Sequence, residues 1–391
     1  MLTQWYFLGG LITAALVTFL SIPIIIRICY ELRLLDVPGG RKIHSSSIPH
    51  LGGVALYISF FFSMLTWGDF HASTALQYFL LGLSVLFFVG LKDDVVPMSA
   101  MKKMGGQVIG AFILVVLAGF KIEDLHGLFG FHHLGSPLSE FVSMFLIVAT
   151  INAFNLIDGI DGLAGGIALI VTLTYGTIFW VKGLHNMHIA AFILSGALIS
   201  FLYYNTHPAK IFMGDTGSMT IGYIVAALTL KFLNCDLDLP NGETFHPNPA
   251  IAAAILIIPF FDILRVFVFR LWQKKSPFKA DRNHIHHILI DCGMDHFHAS
   301  MLLYVVNGMF IGIAYLLRNI NPNLLITFII TMASILTLIA IQLRRKRTTA
   351  PMLVSEQPIV STNPSSKFTT FVTIDNLENL SADEPLKISG R

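Results

Sequence analysis

The sequence predicts an all-α integral membrane protein of about 11 transmembrane helices, with its N-terminus outside and its C-terminus in the cytoplasm. Three observations predict this class: composition, long windows without charged residues, and the distribution of Lys and Arg. Of the 391 residues, 54% are apolar and only 12% are charged, with a mean hydropathy of +0.72. Soluble domains carry roughly 25% charged residues. This composition therefore excludes a disordered chain, a disulfide scaffold and an ordinary cytosolic enzyme.

Eleven windows free of Asp, Glu, Lys and Arg mark the candidate spans, since a spanning helix needs about 20 mostly apolar residues. The windows are 2–26, 45–68, 70–91, 104–120, 141–157, 162–181, 183–209, 216–230, 244–261, 299–317 and 319–343. The two short windows, 216–230 and 244–261, are expected to extend past flanking charges. No basic residue precedes the first window, which predicts a span and not a cleaved signal peptide.

The basic residues set the orientation, because Lys and Arg remain on the cytoplasmic side of a membrane. With the N-terminus outside, the inner segments hold 18 Lys and Arg residues and the outer segments hold four. We therefore expect a multi-pass protein of the cytoplasmic (inner) membrane. Residues 1–347 form the predicted membrane domain, and the polar residues 348–391 are expected to form a disordered cytoplasmic tail.

Neither the net charge nor the cysteines indicate a function. The formal net charge is +2, which does not favour a nucleic-acid partner. The three cysteines are too far apart for a metal-binding or redox pair.

Four polar clusters fall at the inner ends of the predicted spans. They are Asp36–His44 with Arg41 and Lys42; Lys92-Asp93-Asp94 with Lys102 and Lys103; Asn152, Asn155, Asp158 and Asp161; and Gly214-Asp215-Thr216 together with Asp281-Arg282-Asn283-His284-Ile-His286-His287. The orientation was set from Lys and Arg alone. The location of the acids and histidines on the same side is therefore an independent indication of one site.

Three of the clusters also have a simpler interpretation. Asp93 and Asp94 could be a solvated helix end, although acids near a helix C-terminus oppose its dipole. The Asp-Gly pairs after Asn155 could be a plain turn. Asn152, Asn155 and Asp158 share one face if their helix continues that far. The histidines could lie in a wet loop, bind zinc or, with their basic neighbours, bind an anion.

Together the clusters predict one chemistry. Asp and Asn oxygens suit Mg²⁺, which takes few protein ligands and leaves room for phosphate oxygens. Lys, Arg and His suit the phosphates themselves. The sequence thus favours magnesium-assisted phosphoryl transfer at the cytoplasmic surface, and a P-loop motif is absent from it.

The four clusters contain five sequence motifs, because the fourth cluster combines two stretches. In their order from Asp36 to His287, these motifs resemble those of the polyprenyl-phosphate N-acetylhexosamine-1-phosphate transferases (glycosyltransferase family 4). The superfamily contains phospho-MurNAc-pentapeptide translocase and dolichyl-phosphate GlcNAc-1-phosphate transferase. The His284-Ile-His286-His287 loop is similar to that of the bacterial UDP-GlcNAc:undecaprenyl-phosphate enzymes, whereas the translocases carry a His-His-His run. The resemblance implies transfer of GlcNAc-1-phosphate from UDP-GlcNAc to undecaprenyl phosphate, the first membrane step of O-antigen, capsule or teichoic-acid synthesis.

The resemblance also implies a role for each matching residue. Asp93 and Asp94 match the catalytic aspartates, with Asp93 as the base, and Lys103 matches a phosphate-contacting lysine, Lys102 being the alternative. Asp215 and Asn155 match ligands of Mg²⁺ (or Mn²⁺). The implied substrate-binding residues are Asp158, Asp161, Asn152, Arg282, His284, His286, His287, Arg41, Lys42 and His44. Asp262 and Arg265, three residues apart, either form an ion pair with each other or act in the site.

Several alternatives remain open at this point. The lipid phosphate could attack the donor directly, or an aspartate could first form a phospho-enzyme. We favour direct attack, because a lipid phosphate has a second pKa near 6 and is largely ionised at neutral pH. A phospho-MurNAc-pentapeptide transferase, another UDP-HexNAc donor and, from a different class, a membrane transporter are the alternative functions. The assembly could be a monomer or a homodimer.

Overall fold

The structure is a computed structural model that describes residues 6–36, 48–70, 73–238, 244–245, 248–274 and 283–349. The described residues up to Thr349 form one compact unit. Its last helix runs to Thr349, slightly beyond the domain boundary expected at residue 347. The remainder of the predicted tail, from residue 350, lies outside the described residues.

Helices make up most of the described chain. They are α1 (Tyr6–Leu32), α2 (Gly52–Trp67), α3 (Thr74–Val95), α4 (Ala100–Phe112, continued by a π-helical segment Ile113–Leu117), α5 (Leu138–Ile157), α6 (Leu163–Lys182), α7 (His185–Asn205), α8 (Gly214–Leu233), α9 (Pro249–Ile255), α10 (Ile257–Trp272), α11 (Ile285–Asp291), α12 (His296–Leu316) and α13 (Pro322–Thr349). Three short antiparallel pairs complete the described elements: β1 (Leu35–Asp36) with β2 (Ile48–Pro49), β3 (Asp124–Leu128) with β4 (Phe131–His133), and β5 (Leu237–Asp238) with β6 (Thr244–Phe245).

Each of the eleven apolar windows contains a helix, which confirms the predicted all-α class of membrane protein. The orientation of the termini stays a prediction. Within the described ranges, nine helices are long and apolar enough to cross a membrane, or ten if the bent pair α9–α10 is one span. The remaining window holds α2, which has 16 residues and is short for a span. The predicted number of about 11 is therefore reached only if this short helix also crosses.

Helix α8 occupies the centre of the bundle and packs against α2, α3, α5 and α6. Lipid offers no hydrophobic driving force for helix association, so small residues that allow close approach carry much of the packing. Gly53 at the start of α2 lies directly against Gly217 of α8, where no methyl group would fit. A methyl group on Gly90 of α3 would lie 2.6 Å from the Cα of Thr216. The first turn of α8 is thereby held tightly between two neighbouring helices.

Helices α9 and α10 meet at a 95° bend at Leu256. Pro259 has no N–H to donate to the carbonyl of Ile255, four residues earlier, and its ring would clash with that carbonyl in a straight helix. In the structure the buried amide of Asn307 on α12 donates to the Ile255 carbonyl at 3.3 Å. Pro259 thus breaks the helix at a defined place, and Asn307 of the neighbouring α12 satisfies the Ile255 carbonyl.

Candidate active site

A lysine bridges two aspartates at the centre of the candidate site. Lys103 Nζ lies 2.5 Å from Asp93 Oδ2 and 3.0 Å from Asp215 Oδ2. Asp93 comes from the end of α3, Lys103 from the first turn of α4 and Asp215 from the first turn of α8. The backbone N–H of Met98 donates to Asp93 Oδ1 at 2.6 Å, which fixes the α3–α4 connection against this carboxylate. Residues from three helices therefore form one cluster.

The register of α4 distinguishes the two adjacent lysines. Lys102 is exposed, whereas Lys103 is partly buried and makes both ion pairs. Neighbouring residues on an α-helix point in directions about 100° apart, so only one of them can face the aspartates. Lys103 is that residue.

The two asparagines of α5 have different partners. Asn155 Nδ2 donates to Asp215 Oδ1 and, at 3.0 Å, to Ser218 Oγ. Asn152, almost one turn earlier, donates instead to Gln107 Oε1 at 2.8 Å. Asn155 thus belongs to the carboxylate cluster, whereas Asn152 connects α5 to the buried side of α4.

Asp94 contacts backbone groups at the start of α8. Its carboxylate accepts hydrogen bonds from the N–H groups of Asp215 at 2.7 Å and Thr216 at 2.9 Å, and from the Thr216 hydroxyl at 2.5 Å. The first N–H groups of a helix have no partner within the helix, so a carboxylate there satisfies them and interacts favourably with the helix dipole. Gly214, with a φ of +71°, lets the chain turn into the helix beside Asp94. Asp94 therefore orients the segment that carries Asp215.

Asp158 and Asp161 lie in the turn that follows α5. The helix ends at Ile157, so Asp158 is the first residue after it and not a continuation of the Asn152–Asn155 face. Burial, together with Asp215, Asp94 and Asp161, raises the pKa of Asp158 to about 7. Asp161 contacts two histidines: its Oδ2 lies 2.6 Å from His207 Nδ1 and its Oδ1 lies 3.3 Å from His296 Nδ1. The plain-turn interpretation is thus incomplete, since both acids interact with distant groups.

The histidine loop is anchored by a buried aspartate. Asp262 of α10 contacts His284 Nδ1 at 2.8 Å and the guanidinium of Arg265, also at 2.8 Å. It accepts the N–H of Ile285 at 2.9 Å, and Arg265 donates to the Asn283 carbonyl. The Asp262–Arg265 ion pair is therefore present, and it fixes the start of the loop.

His286 packs against the turn after α5. Its ring contacts Gly159 so closely that no methyl group would fit there, and it stacks nearly parallel to His284. Both rings are buried, which excludes the wet-loop interpretation for these two residues. Burial lowers the pKa of His286 to about 3, and His287 adds to this effect, so His286 is neutral at pH 7. His287 is partly buried, with its ring centre 4.3 Å from that of His286.

The oxygen atoms of Asp93, Asp215 and Asn155 are the side-chain groups that could hold a divalent cation at the centre of the site. They are hard ligands on one small cluster, the type that Mg²⁺ prefers. Among the described residues, Lys103 is the cation whose ion pairs reach these two carboxylates. One lysine does not balance two carboxylates, so the donor set fits an added divalent ion.

Some predicted site residues lie outside the described residues. These are Arg41, Lys42, His44 and Arg282, which belong to the ranges 37–47 and 275–282. Other residues in the site escaped the sequence analysis. His207 and His296 contact Asp161, and the ring of His50 is hydrogen-bonded to the Asp94 carbonyl at 2.9 Å. The span count could have indicated His207 and His296, because it places both at the inner ends of their spans.

Comparisons with known proteins show which family the chain resembles. A family model described as glycosyl transferase family 4 matches residues 76–233, which include Asp93, Lys103, Asn155 and Asp215. The "Probable undecaprenyl-phosphate N-acetylglucosaminyl 1-phosphate transferase" of Bacillus subtilis (strain 168) is 31% identical over 331 residues, which cover 83% of this chain and 88% of that protein.

Two further relatives are named "Undecaprenyl-phosphate alpha-N-acetylglucosaminyl 1-phosphate transferase". The Escherichia coli (strain K12) protein is 30% identical over 297 residues, 74% of this chain and 78% of its own length. The Salmonella typhi protein is 31% identical over 311 residues, 78% of this chain and 82% of its own length. The resemblance drawn from the motifs is thereby confirmed, and the chain belongs to glycosyl transferase family 4.

Proposed function

We propose that this protein transfers GlcNAc-1-phosphate from UDP-GlcNAc to undecaprenyl phosphate, giving undecaprenyl-diphosphate-GlcNAc and UMP. The names of its relatives support undecaprenyl phosphate as the acceptor and GlcNAc-1-phosphate as the transferred group. The observation that carries the proposal is the contact of Lys103 with both Asp93 and Asp215 at the ends of apolar helices. A cation held between carboxylates at a membrane surface suits a reaction between a lipid phosphate and a water-soluble sugar nucleotide.

In the proposed reaction an oxygen of the lipid phosphate attacks the β-phosphorus of UDP-GlcNAc. A bond forms between that oxygen and phosphorus, and the bond from the β-phosphorus to the bridging oxygen breaks, which releases UMP. Lys103 stabilises the negative charge of the incoming phosphate. Asp93 accepts the proton from the fraction of lipid phosphate that is still protonated.

A divalent ion, Mg²⁺ or Mn²⁺, is part of the proposal. Asp215 and Asn155, with Asp93 beside them, would hold it. When bound, it would withdraw negative charge from the diphosphate and the departing UMP. Asp94 keeps Asp215 in position through the backbone at the start of α8.

The sugar donor can be tested directly. The purified protein, given undecaprenyl phosphate and Mg²⁺, is offered UDP-GlcNAc, UDP-GalNAc and UDP-MurNAc-pentapeptide in parallel, and the lipid product is identified by mass spectrometry. We expect UDP-GlcNAc to be the best donor. Faster transfer from UDP-MurNAc-pentapeptide would favour the alternative transferase, and faster transfer from UDP-GalNAc would change the sugar.

A substitution of Asp93 tests whether the lipid phosphate attacks the donor directly or a phospho-enzyme forms first. If Asp93 only accepts a proton, the turnover of Asp93→Asn should be lower by roughly 10²-fold or less, which is the low end of general-base effects. The loss should shrink as the pH rises from about 6 to 8, because solvent then ionises the phosphate. A covalent nucleophile would instead leave Asp93→Asn inactive at every pH. Stoichiometric UMP release by the unaltered protein without undecaprenyl phosphate would also indicate the covalent route.

We further propose that the site faces the cytoplasm of a bacterial inner membrane, with the polymer made downstream being O-antigen, capsule or teichoic acid. Lys102 lies at the site end of the bundle and Phe129 in the β3–β4 hairpin, and both are exposed. In intact cells an impermeant maleimide should label Phe129→Cys, and should label Lys102→Cys only after permeabilisation. The reverse order would place the site outside.

A further inference from the structure

A second cluster of ligand-type side chains lies beside the site and shares no residue with the Lys103 cluster. Asp161 follows α5, His207 follows α7 and His296 begins α12. Each residue offers one oxygen or ring nitrogen, and these three atoms lie within 4.8 Å of one another. The proposed transfer reaction assigns no role to the two histidines.

We propose that Asp161, His207 and His296 form a binding site for a divalent transition-metal ion such as Zn²⁺, distinct from the site for Mg²⁺. Two histidines and one carboxylate are a recurring ligand set for zinc and non-haem iron, with a coordination position left open. The inference goes beyond the proposed transferase function and does not require it.

The ligand atoms lie close enough together for such an ion to bind after a movement of His207. The carboxylate of Asp161 presents one oxygen to each histidine, at 2.6 Å from His207 Nδ1 and 3.3 Å from His296 Nδ1. With metal–ligand bonds of about 2.0–2.1 Å, tetrahedral ligands are separated by roughly 3.4 Å. The buried Nδ1 of His296 makes no hydrogen bond of good geometry to any described residue. An ion between the three side chains would satisfy it after only a small outward shift of His207.

Neighbouring groups already hold the ligands in place. Ala209 N–H donates to Asp161 Oδ2 at 3.3 Å, as expected for a group that orients a ligand carboxylate. Ser300 of α12 donates to the Asp161 carbonyl at 2.9 Å, and Tyr304 donates to the Gly162 carbonyl at 2.5 Å. Asn205 of α7 accepts the Gly162 N–H at 3.0 Å. The two helices that lead to the histidines therefore also fix the backbone of the aspartate.

The ligand chemistry separates the two sites. The central cluster offers oxygen atoms from Asp93, Asp215 and Asn155, which favour Mg²⁺. The second cluster offers two ring nitrogens and one carboxylate, which favour Zn²⁺, Co²⁺ or Fe²⁺ over Mg²⁺. His207 is partly exposed, so an ion could enter from the solvent.

Co²⁺ serves as the probe, because its visible absorption reports the number and type of ligands. The full-length protein, purified in detergent and treated with chelator, is titrated with Co²⁺ in the presence of excess Mg²⁺. We expect one bound Co²⁺ per chain with a visible band, and at least a tenfold weaker affinity in His207→Gln and in His296→Gln. His298→Gln is the matched control, since His298 lies on the same helix but pairs with Asp295. It should bind Co²⁺ like the unaltered protein.

A gain-of-signal variant separates ligation from a structural role. His207→Cys should still bind Co²⁺ and should add an intense thiolate-to-metal band in the near ultraviolet, which the unaltered protein lacks. No Co²⁺ binding, displacement of Co²⁺ by Mg²⁺, or spectra that neither histidine substitution changes would overturn the proposal. Binding of Co²⁺ to His207→Cys without a thiolate band would also overturn the proposal.

Discussion

Asp94 accepts the backbone N–H of Asp215 at 2.7 Å, across 121 residues of sequence. It also accepts the N–H of Thr216 at 2.9 Å. The adjacent Asp93 has a different set of partners, since it contacts Lys103 and the N–H of Met98. The two neighbouring aspartates thus act on different parts of the site: Asp93 faces the lysine, and Asp94 supports the helix that carries Asp215.

This relationship predicts a double effect of Asp94→Ala. Losing a side chain that caps a helix N-terminus destabilises a protein by about 0.5–2 kcal/mol, and Asp215 would lose its support. We expect a lower melting temperature and at least a tenfold loss of turnover. Thr216→Val is the matched control, because it removes only the hydroxyl contact and keeps both backbone bonds; its losses should be much smaller. Asp94→Ala with unchanged melting temperature and turnover would rule out the supporting role.

The proposed metal site predicts that Asp215→Ala loses both activity and metal binding. Few protein ligands hold Mg²⁺ in such sites, so no neighbour can replace a lost carboxylate. Electron paramagnetic resonance of added Mn²⁺ should show weaker binding to the variant, and excess Mg²⁺ should not restore turnover. EDTA should silence the unaltered protein.

Asp291→Asn is the control for that experiment, because Asp291 pairs with Arg344 outside the site. It should bind Mn²⁺ normally. Turnover above about a tenth of the original in Asp215→Ala, or full activity in EDTA, would contradict the metal assignment.

Asp158 should make stability depend on pH. Its pKa is raised from 3.8 to about 7 in the folded protein, so between these values the folded state binds more protons than the unfolded state. Stability therefore falls as the pH rises through this interval and stays lower above it. Asp158→Asn cannot ionise, and it should raise the melting temperature at pH 8 more than at pH 5. Thermal unfolding in detergent with EDTA measures this difference, and an equal change at both pH values would contradict the assignment.

The sequence was sufficient to group the candidate residues, because the parity of the apolar spans places Asp93, Lys103, Asn155 and Asp215 at one end of the bundle. It could not show that Asp94 caps α8, since that contact depends on how α3 and α8 pack through Gly90. The end of α5 at Ile157 was also hidden, because the spacing of Asn152, Asn155 and Asp158 fits one helical face. The span count places His207 and His296 at the same end of the bundle as Asp161, but only the structure shows that both histidines contact it.

The bend at Leu256 illustrates the same limit. Pro259 indicates a break near this position, but a proline near a helix start is also ordinary. Only the packing of Asn307 against the Ile255 carbonyl shows that the break is accommodated inside the bundle. Local sequence therefore predicted the helices well, while contacts between helices required the three-dimensional structure.

The most direct test of the account compares two adjacent lysines. Lys103→Met and Lys102→Met remove the same charge one residue apart, and both are assayed for undecaprenyl-diphosphate-GlcNAc formed from UDP-GlcNAc and undecaprenyl phosphate. Because Lys103 alone of the two contacts Asp93 and Asp215, we predict at least a hundredfold loss of lipid product for Lys103→Met and less than a threefold loss for Lys102→Met. Equal losses in the two variants, or a larger loss for Lys102→Met, would contradict the central claim that the Lys103 cluster carries out the transfer.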